Sequence, residues 1–159
     1  MRAEILNKTG SARSIQDLQD EIVLAFSELR EWMDKYEFVI RMGRALKPMN
    51  PTLKTQDNAI AGCQSKVWIA CEVEDGKMHF YAESDALITK GLIALLLHVL
   101  DHQPPQVIVE AKLDFIERIG LNSNLSPSRA NGLDSIIKQL KLLAARALEA
   151  ESARCPSDN

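Results

Sequence analysis

The sequence is short of the residues that build several familiar classes of site. It has only three cysteines, Cys63, Cys71 and Cys155. The count is odd, the spacings are wide and no CxxC pair occurs, so neither a zinc knuckle nor a disulfide framework is encoded. Aromatic residues make up 5% of the chain, too few for a base-stacking platform. Positive charge forms no stripe, and the net charge is −3, so nothing draws the protein to nucleic acid. Long apolar runs are missing too. The longest, Gly91 to Leu97, is far too short to span a bilayer. The opening stretch MRAEILNKTGSARS lacks the apolar core of a secretory signal, and with Glu4 and few arginines it fits a transit peptide poorly. Free thiols then point to a reducing, cytoplasmic setting.

What is present fits one domain of ordinary size, long enough to bury roughly 70% of the surface of its unfolded chain. Residues 1–13 read as a mobile arm, 14–150 as the domain and 151–159 as a flexible tail. Ser14 with Asp17 makes a helix start. Ile15, Leu18, Ile22, Phe26 and Leu29 then share one helical face, and Trp32, Tyr36, Val39, Ile40 and Leu46 continue the period. Whether one bent helix or two spans this region stays open. Trp32 and Tyr36 read as core. Pro48 and Pro51 stop the pattern, leaving a long loop from Lys47 to Gly62.

Val67 to Val73 alternates as a strand, with Val67, Ile69, Cys71 and Val73 on one face. Asp75-Gly76 turns the chain into a return strand, Met78 to Ala82. Ser84 or Asp85 is expected to cap the next helix, which runs to about Asp101 and is apolar nearly all round. QVIVEA, after Pro104-Pro105, is ambiguous between strand and helix. Leu113 to Ile119 reads as a short helix ended by Gly120. Ser126-Pro127 starts the last helix, whose buried face includes Leu133, Ile136, Leu140 and Ala144. The expected fold class is α+β, with helices packed on one face of a small antiparallel sheet.

Within GCQSKVWI, Gly62 to Ile69, a thiol stands in polar company at the mouth of a strand. Three readings of Cys63 compete on the residues alone. It is a small buried hydrophobe; or a metal ligand, with His79, His98, His102 or Asp57 as partners; or a nucleophile. A thiol that attacks another sulfur needs some thiolate, access and a sulfur leaving group, but no oxyanion hole. Backbone amides after the glycine turn, and Lys66 nearby, favour a thiolate. Cys71, inside the alternating strand, reads as structural.

GCQSKVWI closely resembles the active-site signature of the SufE family of sulfur acceptors in iron–sulfur cluster assembly. SDALITKGLIALLL, Ser84 to Leu97, resembles that family's second signature, and LSPSRANGLDSII, Leu125 to Ile137, its third. The three occur in order and cover about Ser14 to Leu148. The resemblance implies a SufE/IscU-like sandwich without the three-cysteine cluster site of IscU. It implies a partner, a pyridoxal-phosphate cysteine desulfurase, whose persulfide sulfur passes to the accepting cysteine, here Cys63. The Suf scaffold complex is the implied onward acceptor. No cofactor of the chain's own and no membrane partner are implied, and a monomer or weak dimer is expected. The protein would stimulate the desulfurase and serve as its sulfur-transfer partner rather than as a stand-alone enzyme. Gly62, Gln64 and Ser65 match the loop that holds the cysteine. Asp85 reads as a helix cap or as part of the partner-facing surface. Arg129, with Ser128 beside it, reads as a salt-bridge or cap residue, or as an arginine that docks the desulfurase or steadies the loop. Lys90 and Gly91 read as helix packing. Slack in Lys47–Gly62 would let Cys63 swing out, and an apolar pocket, with Trp68 as one wall, would shelter it on return. The alternatives are a metal- or Fe–S-binding scaffold and a regulatory adaptor that accepts no sulfur.

Overall fold

The computed structural model describes residues 13–154. The arm at 1–12, and Cys155 with the rest of the tail to 159, lie outside the described residues. Two separate helices open the domain: α1, Ile15–Ser27, and α2, Trp32–Arg44. Ser14 caps α1 as its sequence suggests, its hydroxyl accepting the Asp17 backbone N–H at 3.0 Å. Arg13, placed by sequence in the arm, is instead tied down: its guanidinium pairs with Glu21, and its carbonyl accepts from the Gln103 amide at 3.0 Å.

Strands β1, Val67–Glu74, and β2, Lys77–Ser84, form a two-stranded antiparallel sheet, with Val67 opposite Ser84 and Glu74 opposite Lys77. Asp75 and Gly76 both have positive φ, 55° and 75°, the combination that matches a tight turn to the twist of the strands. Val67 and Ile69 from β1, with Met78, Phe80 and Ala82 from β2, face the core. Cys71 is half-buried on that face, whereas Val73 is 43% exposed. Both sheet edges are partly covered. Met78 exchanges backbone hydrogen bonds with His102 and Gln103, and Ala59 bridges to Trp68.

Helix α3, Leu87–Leu100, is the buried centre, with Leu92 to Leu97 all inside. It crosses α2 at two glycines. A Cβ on Gly91 would stand 2.1 Å from the Val39 carbonyl oxygen, and one on Gly43 would stand 2.7 Å from the Gly91 nitrogen. Only glycine permits that approach. Lys90, beside the crossing, pairs with Glu83 at 3.0 Å. QVIVEA resolves as part of a helix, α4, Pro105–Glu110, and is followed by the single-turn helices α5, Phe115–Arg118, and α6, Leu121–Asn124. Trp32 and Tyr36 are not core. They are half-buried, and Tyr36 donates its hydroxyl to the Asn124 carbonyl at 2.6 Å. Helix α7, Pro127–Arg154, begins at the expected proline and runs past residue 150. The architecture is α+β. No helix among the described residues is long and apolar enough to cross a membrane.

Candidate functional site

The loop that carries Cys63 is short and held at its base. The Ile60 backbone N–H donates to the Val67 carbonyl at 2.9 Å, closing a ring around residues 61–66. Asp85 makes a second clasp. Its carboxylate accepts the Lys66 backbone N–H at 3.0 Å, and its own N–H donates to the Lys66 carbonyl at 3.2 Å. The expected capping role of Asp85 is therefore corrected. Helix α3 starts at Leu87 after Ala86, with no side-chain cap, because the Asp85 carboxylate is engaged across the strand mouth. Ser65 adds a third tie, its hydroxyl 3.2 Å from that of Thr89 on α3.

Gly62 aims the loop. Its φ is +87°, a region that strains any residue with a Cβ. A Cβ there would also stand 2.8 Å from the Ser135 hydroxyl oxygen on α7. Glycine thus lets the loop turn left-handed and lie tight against α7. Cys63 follows, with its thiol facing the second turn of that helix. The Sγ–H donates to the Gly132 carbonyl at 3.7 Å.

Beside the thiol is a cleft of about 270 Å³. Leu92 from α3 and Leu133 and Ile136 from α7 give it an apolar floor; Gln64, Ser128 and Arg129 stand at its rim. Burial pushes the Cys63 thiol up from its ordinary value. Lys66 does not offset this: its side chain is exposed and outside the cleft lining. Of the two bonded roles suggested for Arg129, the structure shows the cap contact, made through its backbone, and no salt bridge among the described residues. Its backbone N–H donates to Ser126 at 3.3 Å, while its exposed side chain has no carboxylate partner among the described residues.

Two expectations about the loop's surroundings are overturned. Trp68 is no wall of the cleft. It projects from the other side of β1, where the Lys54 ammonium lies 5.6 Å from its ring. Nor does Lys47–Gly62 hang slack. Met49 is buried, short 3-10 turns occupy Pro51–Leu53 and Gln56–Asn58, and Ala59 is bridged to Trp68. The histidines lie elsewhere. His98 bonds Glu21 at 2.8 Å, and His79 and His102 stack edge to face with centroids 4.5 Å apart. Among the described residues no three His, Cys, Asp or Glu side chains gather as a metal site.

Sequence reasoning named the loop but missed Thr89, Leu92, Gly132, Leu133 and Ile136 as its surroundings. One signal was available for Gly132: a glycine inside a strongly helical pattern needs a reason.

The family model SufE, described as an Fe-S metabolism associated domain, matches residues 20–144. An uncharacterised SufE-like protein of Synechocystis is 40% identical over 124 residues, 78% of this chain and 78% of that one. An uncharacterised SufE-like protein of Rhizobium meliloti is 38% identical over 136 residues, covering 82% and 97%. SufE-like protein 1 of Arabidopsis thaliana, named as chloroplastic/mitochondrial, is 37% identical over 146 residues, 89% of this chain but 38% of that longer one. In fold, the chain matches the solution structure of a hypothetical protein from Thermus thermophilus with a TM-score of 0.70 at 21% identity, covering 83% of this chain and 96% of that one.

Proposed function

This chain belongs to the SufE family, associated with Fe–S metabolism, and from that premise we propose that Cys63 accepts persulfide sulfur from a pyridoxal-phosphate cysteine desulfurase. The Cys63 thiolate attacks the outer sulfur of the persulfide on the desulfurase's cysteine. A new S–S bond forms to Cys63 Sγ as the old one breaks, and the electron pair leaves on the partner's thiolate. The proton from Cys63 goes to water or a base of the partner, and no net oxidation occurs. Clearing the partner's thiolate is what stimulates the desulfurase. The sulfur then moves on by the same exchange to a scaffold complex that builds the cluster.

The observation that carries this reading is the seat of the thiol: half-buried on a clasped, glycine-turned loop over a cleft with an apolar floor. In that seat burial favours the neutral thiol, which attacks poorly. Moving the loop outward returns the sulfur to water and frees the thiolate. Moving it back carries the persulfide away from solvent reductants. Gln64 and Arg129, exposed at the rim, form the partner-facing edge, while Gly62, Ser65 and Asp85 set the resting position. Free thiols of this kind suit the cytoplasm.

The test is peptide mass spectrometry after incubation with a desulfurase and free cysteine, without reductant. One added sulfur on the Cys63 peptide is expected, lost in Cys63→Ser and kept in Cys71→Ser. Sulfur acceptance that survives Cys63→Ser would refute the proposal. Stimulation of the desulfurase without sulfur on Cys63 would identify an adaptor, and stoichiometric metal lost on Cys63 substitution a scaffold.

A further inference from the structure

A glycine inside a helix weakens it by roughly 0.5–1 kcal/mol relative to alanine. At Gly91 the crossing of α2 and α3 explains such a residue. At Gly132, buried in the second turn of α7, it does not. The three atoms nearest to a Cβ there all belong to Cys63, with Sγ at 3.6 Å and Cα and Cβ at 4.0 Å. Those are ordinary contact distances. The chain therefore carries a helix-weakening residue opposite its thiol, with no steric need for it while Cys63 is a thiol.

The need arises with a second sulfur. It replaces the thiol hydrogen, which points at the Gly132 carbonyl oxygen 3.7 Å from Sγ. An S–S bond of about 2.05 Å along that line would leave the outer sulfur roughly 1.7 Å from the oxygen, so it has to turn aside. An alanine methyl, 3.6 Å from Sγ, would stand on the neighbouring side. At normal contact distance it would bar that sulfur from a cone of roughly 70° half-angle about its own direction.

We infer that Gly132 is a specificity-determining residue of this site: its missing side chain keeps room for the outer sulfur of a Cys63 persulfide inside the closed loop. The inference rests on the persulfide reading of Cys63 and adds what admits the loaded form. Gly132→Ala then separates the two states. The thiol form closes as before, and the persulfide form no longer does.

The experiment uses the full chain with Cys71→Ser and Cys155→Ser, with and without Gly132→Ala. A parent protein that takes no sulfur from a desulfurase shown to turn over overturns the persulfide reading itself. To test the glycine apart from docking, both proteins are loaded with inorganic polysulfide. The Cys63 thiolate attacks one sulfur of its S–S bond, that bond breaks, and a shorter polysulfide anion leaves. After excess polysulfide is removed, loss of the added sulfur to a phosphine reductant is followed by mass spectrometry. Expected for Gly132→Ala is an unfolding midpoint no lower than the parent's. Its free thiol should alkylate within about twofold of the parent rate, the span of a neutral change. Its persulfide should be stripped roughly tenfold faster, a modest effect for an overpacked methyl. Equal stripping rates overturn the inference. So does a lowered midpoint or a changed alkylation rate, since the glycine would then serve the thiol form.

Discussion

Gly62→Ala tests whether the resting loop is held by backbone geometry. The wild-type φ of +87° forces any Cβ into a region that strains an L-residue by roughly 1–2 kcal/mol. Against this, alanine restricts the open loop, which offsets about 0.4–1 kcal/mol. The Cβ also crowds the Ser135 hydroxyl, 2.8 Å away, but that group ends a side chain that can rotate. The net is about 1 kcal/mol against the closed loop, a factor of about five in the open population. Alkylation of Cys63 by iodoacetamide at fixed pH reads this, in a Cys71→Ser, Cys155→Ser background. The rate should rise about fivefold, because reagent reaches the thiol through the open form. Adding Ser135→Ala removes the crowding and leaves the φ strain, so most of the increase should persist. An unchanged alkylation rate in Gly62→Ala would refute the reasoning. Full return to the parent rate in the double variant would refute the part given to φ.

Asp85→Ala removes the acceptor of the Lys66 N–H, loosening the loop base by about 1 kcal/mol and speeding Cys63 alkylation, whereas Asp85→Asn, which keeps an acceptor oxygen, should lie near the parent. Gly91→Ala drives a Cβ into the Val39 carbonyl, a backbone atom that cannot rotate away. It should cost about 2 kcal/mol after its gain in helix propensity and lower the thermal midpoint by roughly 4–8 °C; a midpoint equal to the parent's would contradict the helix crossing. Burial holds the pKa of His98 below its ordinary value despite its bond to Glu21, so the neutral ring is favoured in the fold. Its contribution to stability is present above pH about 6.5 and is lost as pH falls through that value toward the folded one. Urea unfolding between pH 7 and 5 should show this loss, and His98→Gln should flatten it.

The parts of the fold that were legible in sequence depend on local period and local turns. Helix α1 follows from Ile15, Leu18, Ile22 and Phe26, the hairpin from Asp75-Gly76, and the start of α7 from Ser126-Pro127. What escaped depends on chain segments that meet only after folding. Asp85 looks like a cap because it precedes a helix, and nothing local says that the Lys66 N–H will arrive first. Trp68 looks like a neighbour of Cys63, yet strand alternation and Lys54 hold it on the other side of β1. The Lys47–Gly62 stretch has no period, so its 3-10 turns and the Ala59 bridge were invisible, although Asn50 caps the first turn through the Thr52 N–H. Arg129 and Gly132 were both inside a recognisable motif. Their positions opposite Cys63 come from the packing of α7 against the loop, which no spacing in the sequence encodes.

The hydrogen bond between Ile60 and Val67 sets a length scale for the reach of the Cys63 thiol. With that ring closed, Cys63 is three peptide units from a fixed base. An extended chain covers at most ~3.3–3.6 Å per residue, so the Cys63 Cα stands no farther than about 10–11 Å from its anchor, with only the short cysteine side chain beyond it. In the proposed sulfur transfer, a handover across such a span would leave little room for a deeply recessed donor. On that proposal the desulfurase would bring its persulfide outward to meet a short tether, and the distance between two active sites would be closed mainly from the partner's side.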